Sequence, residues 1–192
     1  MVAVLIHLNG APGVGKSTIA RRYTAVHPGV LNCDVDRLRC FVGGWADDFG
    51  AVGGIVRPLA LAIVGAHLEG GRDVLLPQML ADETERARFR AAAVDSGHRY
   101  LHVLLRARPG EAGARFYGRS EEDPLHAVIR GVVDDEGGAS MIDELDRRLA
   151  QTAASNDAVV VDASGDAEST YRAVVAAIEA ALRPSGARAD DR

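Results

Sequence analysis

The sequence predicts an α/β protein: a five-stranded parallel sheet with helices on both faces and a small lid. Three observations predict it. Five short runs of β-favouring apolar residues alternate with helical patterns along the chain. The first run leads straight into a glycine-rich loop that opens a helix. And 192 residues, 47% hydrophobic and 26% charged, suit one soluble domain with its own core rather than two.

The elements follow in order. Val2, Val4 and Ile6, with Ala3 and Leu5 between them, are apolar on both faces, as a central parallel strand must be. Gly10 to Gly15 is a loop, and Lys16 to about His27 a helix ended by Pro28-Gly29. Val30 to Asn32 is a second strand that runs on, extended, into Cys33-Asp34-Val35-Asp36-Arg37. Gly43 to Gly54 is rich in Gly and Asp, holds Trp45 and Phe49, and reads as a loop or lid. Pro58, a favoured first helical residue, starts a helix that stops at Gly70-Gly71.

Asp73 to Pro77 gives the third strand, and Asp82 caps a polar helix reaching about Asp95. Tyr100 to Leu105 is the fourth strand. Pro109 opens a helix carrying Arg115 and Arg119, and the region from about 116 to 138 reads as the lid. Met141 to Thr152 is helical, Ala158 to Val161 is the fifth strand, and Ala167 to Leu182 is an amphipathic closing helix. Residues 1–182 form the domain, and 183–192 have the composition of a disordered tail.

Composition narrows the partners. A net charge of −5 supplies no broad basic face, so nucleic acid is not expected, although the scattered arginines permit a local basic pocket. Cys33 and Cys40 are too few for a disulfide framework and suit free thiols in a reducing cytosol. The apolar N-terminus lacks a basic leader, and Ile55 to Leu68 is too short and too interrupted by Arg57 and Pro58 to span a bilayer. A cytoplasmic protein, monomeric or homodimeric, is expected. Neither the histidines nor the cysteines show metal-site spacing.

The strongest signal is Gly10-Ala11-Pro12-Gly13-Val14-Gly15-Lys16-Ser17, followed by Thr18, which matches G-x-x-x-x-G-K-[ST] in full. Glycines let successive backbone N–H groups turn inward around an anion, and the helix that follows adds its N-terminal dipole. Lys16 reaches the outer phosphates and Ser17 offers a hydroxyl to Mg²⁺. Lys16 is also the only lysine in the chain; every other permanently cationic side chain is an arginine. A compact ammonium fits between phosphates where a planar guanidinium would not be equivalent. The ligand read from the loop is ATP with Mg²⁺.

With one lysine, the Asn-Lys-x-Asp guanine reader of Ras-type GTPases cannot exist here. Motor-type ATPases end a hydrophobic strand beside the loop in a carboxylate, whereas the third strand here ends Leu75-Leu76-Pro77-Gln78, in an amide. Asp34 and Asp36, if extended, point their carboxylates to one side at the mouth of the sheet. They then suit one acid near Mg²⁺ and one accepting a hydroxyl proton; the alternative is that either caps the next helix. Arg115 and Arg119 are four apart and share a helix face, poised either over phosphates or toward neighbouring glutamates. Trp45 and Phe49 flank Asp47-Asp48, which suits stacking on a ring and meeting an amine, or simply anchoring a loop. His7 reads as a satisfied sheet histidine.

On the phosphate loop and the D-x-D after the second strand, the chain resembles the small P-loop kinases of the shikimate kinase, gluconate kinase and chloramphenicol phosphotransferase type. It is also similar to the ATP-binding tunicamycin-resistance protein, whose third strand ends much as Leu76-Pro77 does here. The resemblance spans roughly residues 1–182 and implies a P-loop nucleotide-kinase-like fold. It implies Asp36 as catalytic base, Asp34 with Ser17 near the metal, and Arg115 and Arg119 as lid arginines over the triphosphate. It further implies Arg57 on an anionic substrate group and Asp162-Ala163-Ser164 near adenine. The residues expected around the substrate are Asp34, Arg39, Trp45, Arg57 and Gln78. The activity implied is ATP- and Mg²⁺-dependent phosphorylation of a small-molecule hydroxyl. Two alternatives stand beside it: a protein that binds nucleotide and sequesters a ligand, and a 5′-hydroxyl polynucleotide kinase, which Asp36 with Arg39 would resemble but the acidic net charge disfavours.

Overall fold

The computed structural model describes residues 2–120, 122–153, 155 and 157–183. The tail expected at 183–192 therefore lies, beyond Arg183, outside the described residues. Five strands form one parallel sheet in the order β2-β3-β1-β4-β5. They are β1 (Val4–Asn9), β2 (Leu31–Asn32), β3 (Val74–Leu76), β4 (Arg99–Arg106) and β5 (Val159–Asp162). All six residues of β1 are buried, because it is the middle strand and both faces are covered.

The period-two alternation of β1 sends its side chains into two separate layers. Val4, Ile6 and Leu8 pack with Ile19 and Ala20 of α1 (Lys16–Val26) and with Val174 and Ile178 of α8 (Ala167–Leu182). Leu5 packs on the other face with Val56, Val64 and Leu68 of α3 (Phe49–Glu69), and with Phe89 of α4 (Glu83–Val94). A short α2 (Val35–Arg39) precedes α3, and α5 (Glu111–Tyr117), α6 (Pro124–Asp135) and α7 (Gly138–Ala153) follow β4. Parallel strands place all five C-terminal ends on one edge of the sheet, where crossover loops leave a crevice.

Several boundaries differ from the sequence reading. The second strand does not run on through Asp34 and Asp36. Asp34 caps α2, its Oδ1 accepting from the Arg37 backbone N–H at 3.3 Å, and Asp36 lies in the first turn. A local side-chain hydrogen bond won over extended pairing, since beyond Cys33 there is no β3 edge left to pair. The helix expected to start at Pro58 begins at Phe49 instead, with Asp48 capping it through the Ala51 N–H at 2.8 Å. Pro58 sits inside it, and the glycines at 50, 53 and 54 are helical.

That helix of 21 residues is long and apolar enough, by length and composition, to cross a membrane, which corrects the shorter interrupted segment read from sequence. In the fold it lays Val52, Val56, Ala60, Val64 and Leu68 against the sheet at fourfold spacing. One helix, α6, escaped sequence reading altogether, and α2 was foreshadowed only by the alternative that Asp34 or Asp36 caps a helix. The signal for α6 was present: Asp123 caps it, accepting from the Leu125 N–H, and Pro124 fills its first position.

Candidate functional site

The loop from Gly10 to Gly15 runs between β1 and α1 with Gly10, Gly13 and Gly15 at φ of +143°, +86° and +105°. Gly13 shows why no side chain is tolerated: a Cβ there would lie 2.0 Å from the Ala112 carbonyl of α5. Lys16 Nζ curls back over the loop, donating to the carbonyls of Gly10 at 2.7 Å and Ala11 at 3.0 Å. Burial strips water from this ammonium and lowers its pKa to about 8; Asp36 pulls it back up, Arg119 pushes it down, and Asp34 pulls it up. A loop with a backbone glycines alone can adopt, opening a helix and holding one desolvated ammonium, fits the phosphates of a nucleotide.

The loop opens into a cavity of about 910 Å³ at the C-terminal edge of the sheet. Pro12, Gly13, Gly15, Lys16, Ser17 and Thr18 line one side; Gly10, Ala11 and Val14 complete the turn behind them, Ala11 fully buried. Asp34, Asp36, Arg39 and Gln78 line the same cavity, with Asn32 and Met79. The sequence-derived base therefore shares a cavity with the sequence-derived phosphate loop, although through a helical turn rather than an extended strand.

Asp36 is set among cations. Burial raises its pKa; Arg39 lowers it, Asp34 raises it, and Lys16 and a hydrogen bond from the Gln78 side chain lower it. Arg39 Nε stands 3.3 Å from Asp36 Oδ1. Arg39 as a residue is buried, 6% exposed, and its guanidinium donates to the Phe49 carbonyl and lies over the Phe49 ring, 3.9 Å from its centroid. Gly53 makes room for it, because a Cβ there would come within 2.8 Å of Arg39 Nη1. Arg39 is thus locked onto Asp36 and α3. Gln78 takes the place of the missing strand-end acid, and its Oε1 is buried with no recorded hydrogen bond.

For magnesium, Ser17 and Asp34 both line the cavity, and one Asp34 oxygen is committed to its helix cap. Among the described residues no three His, Cys, Asp or Glu side chains cluster as a metal cage. Mg²⁺ on nucleotide phosphates needs only one or two protein oxygens, so this donor set fits.

The two arginines expected in the lid differ in their partners although both border one cavity. Arg119 lies past the end of α5, beyond Gly118, so the pair does not share a helix face. Arg119 lines the large cavity, half-buried, its pKa lowered by burial and by the neighbouring Arg21. Arg115 points instead at the β5–α8 turn, donating to the carbonyls of Ala163 at 2.6 Å and Gly165 at 2.9 Å. There it borders a second cavity of about 340 Å³ beside the loop, with Thr18, Arg22, Thr170, Tyr171 and also Arg119, which lines both cavities. Arg22 lies over the Tyr171 ring, 4.0 Å from its centroid. The Asp162-Ala163-Ser164 turn is a compact Asx turn, Asp162 Oδ1 accepting from the Ser164 N–H at 2.8 Å.

Other expectations changed. Arg57 lines the cavity from within α3 rather than from just ahead of the helix, and stands 3.7 Å from Glu85. Trp45 packs half-buried against the α3 core and away from the cavity, whereas Phe49 lines it beneath Arg39, and Asp48 is occupied as a helix cap. The segment expected to be a lid, 116–138, consists largely of α6, whose Leu125, Ile129 and Val133 line the cavity. Arg21, Arg37, Asp123 and His126 also line it and went unread. Only Arg21 carried a usable signal, standing one turn beyond Ser17 on the same face of α1.

Comparison with known proteins agrees with this architecture. The AAA domain family matches residues 5–136. The fold is similar to a gluconokinase from Sinorhizobium meliloti 1021, at 15% identity and a TM-score of 0.61, covering 94% of this chain and 93% of that one. It is equally similar to the protein APE1195, at 16% identity and a TM-score of 0.63, covering 95% and 98%. No curated protein matches the chain in sequence. A full phosphate-loop motif, the 2-3-1-4-5 parallel sheet and this family match together make the chain a member of the AAA domain family with the fold of a small P-loop kinase.

Proposed function

We propose that the protein is an ATP- and Mg²⁺-dependent phosphotransferase acting on a hydroxyl of a small molecule. The observation that carries this reading is the disposition of charge: Asp34, Asp36 and Arg119 line one cavity with Lys16, close enough that all three bear on its ammonium. The loop amides with Lys16 and Ser17 would hold the nucleotide, and Mg·ATP would supply the transferable phosphoryl group. Asp36, fixed by Arg39 and Gln78, would orient the acceptor hydroxyl and take its proton. Arg119 and Lys16 would neutralise charge on the transferring group, where most of the rate in such loose transition states arises. Arg115 would serve at the nucleoside end through the turn it braces. The half-apolar cavity under α6 suits a small organic acceptor, antibiotic or metabolite, and a cytoplasmic role follows from this substrate class.

Gln78 favours a second reading, in which nucleotide is bound and a ligand sequestered without transfer, because the acid that would help hold the metal is absent. The two part on one experiment. Hydroxylated metabolites and antibiotics are screened by thermal shift with Mg·ATP, and each hit is incubated with ATP and followed by mass spectrometry. Phosphorylated ligand is expected; a ligand that binds tightly while ATP stays intact would replace transfer by sequestration.

A further inference from the structure

The phosphate loop and another stretch of the cavity wall are joined by one buried side chain. Asn9 ends β1 and is 1% exposed. Its Oδ1 accepts from the Gly10 N–H at 2.8 Å and from the Leu80 N–H at 3.1 Å. Its Nδ2 donates to the Leu80 carbonyl at 3.0 Å and stands 3.3 Å from His102 Nε2. The Leu80 backbone offers one donor and one acceptor, which fixes which end of the amide is oxygen and uses its hydrogen-bonding capacity in full.

Two residues earlier, on the same face of β1, His7 does matching work. Its Nε2 meets the Gln78 carbonyl at 2.8 Å and its Nδ1 the Tyr100 hydroxyl at 2.8 Å. A carbonyl can only accept, so Nε2 carries the proton and Tyr100 donates to Nδ1. β3 ends at Leu76, so the segment Gln78–Leu80 no longer belongs to the sheet. It is held at both ends by side chains of β1, and Gln78 and Met79 within it line the cavity. Gly10, held by the same Asn9 oxygen, is the first residue of the phosphate loop.

We propose that Asn9 is a positioning residue that couples the phosphate loop to the acceptor wall. Drawing the loop around phosphates fixes the Gly10 N–H, and through the shared Asn9 oxygen it fixes Leu80. Gln78 and Met79 are then set against the bound nucleotide. The proposal rests on the reading of the loop as a nucleotide site and adds to it a route by which an occupied loop organises the acceptor wall.

Hydrogen exchange followed by mass spectrometry tests it with Mg·ADP as the probe. In the parent, Mg·ADP should slow exchange in 10–17 and also in 78–80, the latter by a factor in the range of about 5–150 usual for coupled sites. Asn9→Ser, too short to reach Leu80, should keep the loop protection and lose the nucleotide-dependent protection of 78–80. A merely structural Asn9 would speed exchange at 78–80 equally with and without nucleotide, leaving the ratio unchanged in Asn9→Ser, and that result overturns the proposal. So does a parent whose loop is protected while 78–80 is not. A parent showing no loop protection at all would instead overturn the nucleotide site beneath it.

Discussion

Arg37 of α2 and Asp123, the cap of α6, join across the mouth of the large cavity in a two-pronged ion pair. Arg37 Nη1 lies 3.1 Å from Asp123 Oδ1, and Nη2 meets Oδ2. The pair holds α6 against the helix that bears Asp36, 86 residues away in sequence from one partner to the other. The Arg37 guanidinium in turn holds the Asp123 carboxyl below its ordinary pKa. Both side chains are partly exposed, so the pair contributes about 0.2–1 kcal/mol after solvent screening. Asp123→Asn still caps α6, because Asn is as good a cap, and so isolates the ion pair. Exchange of the α6 amides should rise about two- to fivefold with little change in melting temperature. Unchanged exchange would show that α6 is held by its apolar face alone.

Lys16 carries the second prediction. Among the described residues its ammonium bonds to the loop's own carbonyls alone, so Lys16→Ala should leave the fold intact. ATP affinity should fall by about a hundredfold or more, the loss of a desolvated charge-assisted contact. Calorimetry with ATP and with GTP checks this and base choice together. Tight GTP binding with negligible ATP binding would contradict the ATP assignment.

Arg115 and Arg119 should separate in their kinetics, because the structure gives them different partners. Arg115→Ala frees the 163–165 turn and should weaken ADP and ATP alike by about tenfold, two hydrogen bonds to the turn being lost. Arg119→Ala should leave ADP binding near the parent's and lower turnover by about a hundredfold. Equal losses in binding for both variants would make Arg119 an ordinary binding residue.

His7 gives a pH prediction. Burial, then the neighbouring His102, lower its pKa to about 3 from an unfolded value of 6.5. Between those values the unfolded chain holds the extra proton, so stability rises with pH across the window and falls as pH drops below 6.5. The slope should approach about 1.4 kcal/mol per pH unit from this group. Denaturant melts from pH 7 to 4.5, with NMR of the His7 ring remaining neutral at pH 5, would bear this out. A ring that titrates near 6.5 would mean the bonds to Gln78 and Tyr100 open readily.

The frame of the protein was legible because strong local signals agreed with one another. The apolar run of β1, the glycine loop and the closing helix each had one reading. What escaped depended on competition between local and distant partners. Asp34 could cap a helix or extend a strand, and the end of β3 decided. Pro58 looked like a helix start because nothing local shows that Asp48 caps a turn nine residues earlier and that Gly53 is needed beside Arg39. Arg115 and Arg119 looked like a pair because helical spacing says nothing of where α5 ends. Asn9 carries no signal, since apart from the adjacent Gly10 N–H its partners lie 71 and 93 residues away.

Asp36 tests the central claim most directly. Asp36→Asn keeps the shape of the side chain and its reach to Arg39 and Gln78, and removes the base. With an acceptor found by the thermal-shift screen, product is followed by mass spectrometry for parent and variant under saturating Mg·ATP. Ligand and ATP should still bind to Asp36→Asn, while phosphorylated product falls by about a hundredfold or more. Undiminished product from the variant would contradict Asp36 as the base, and no phosphorylated ligand from the parent would contradict phosphoryl transfer itself.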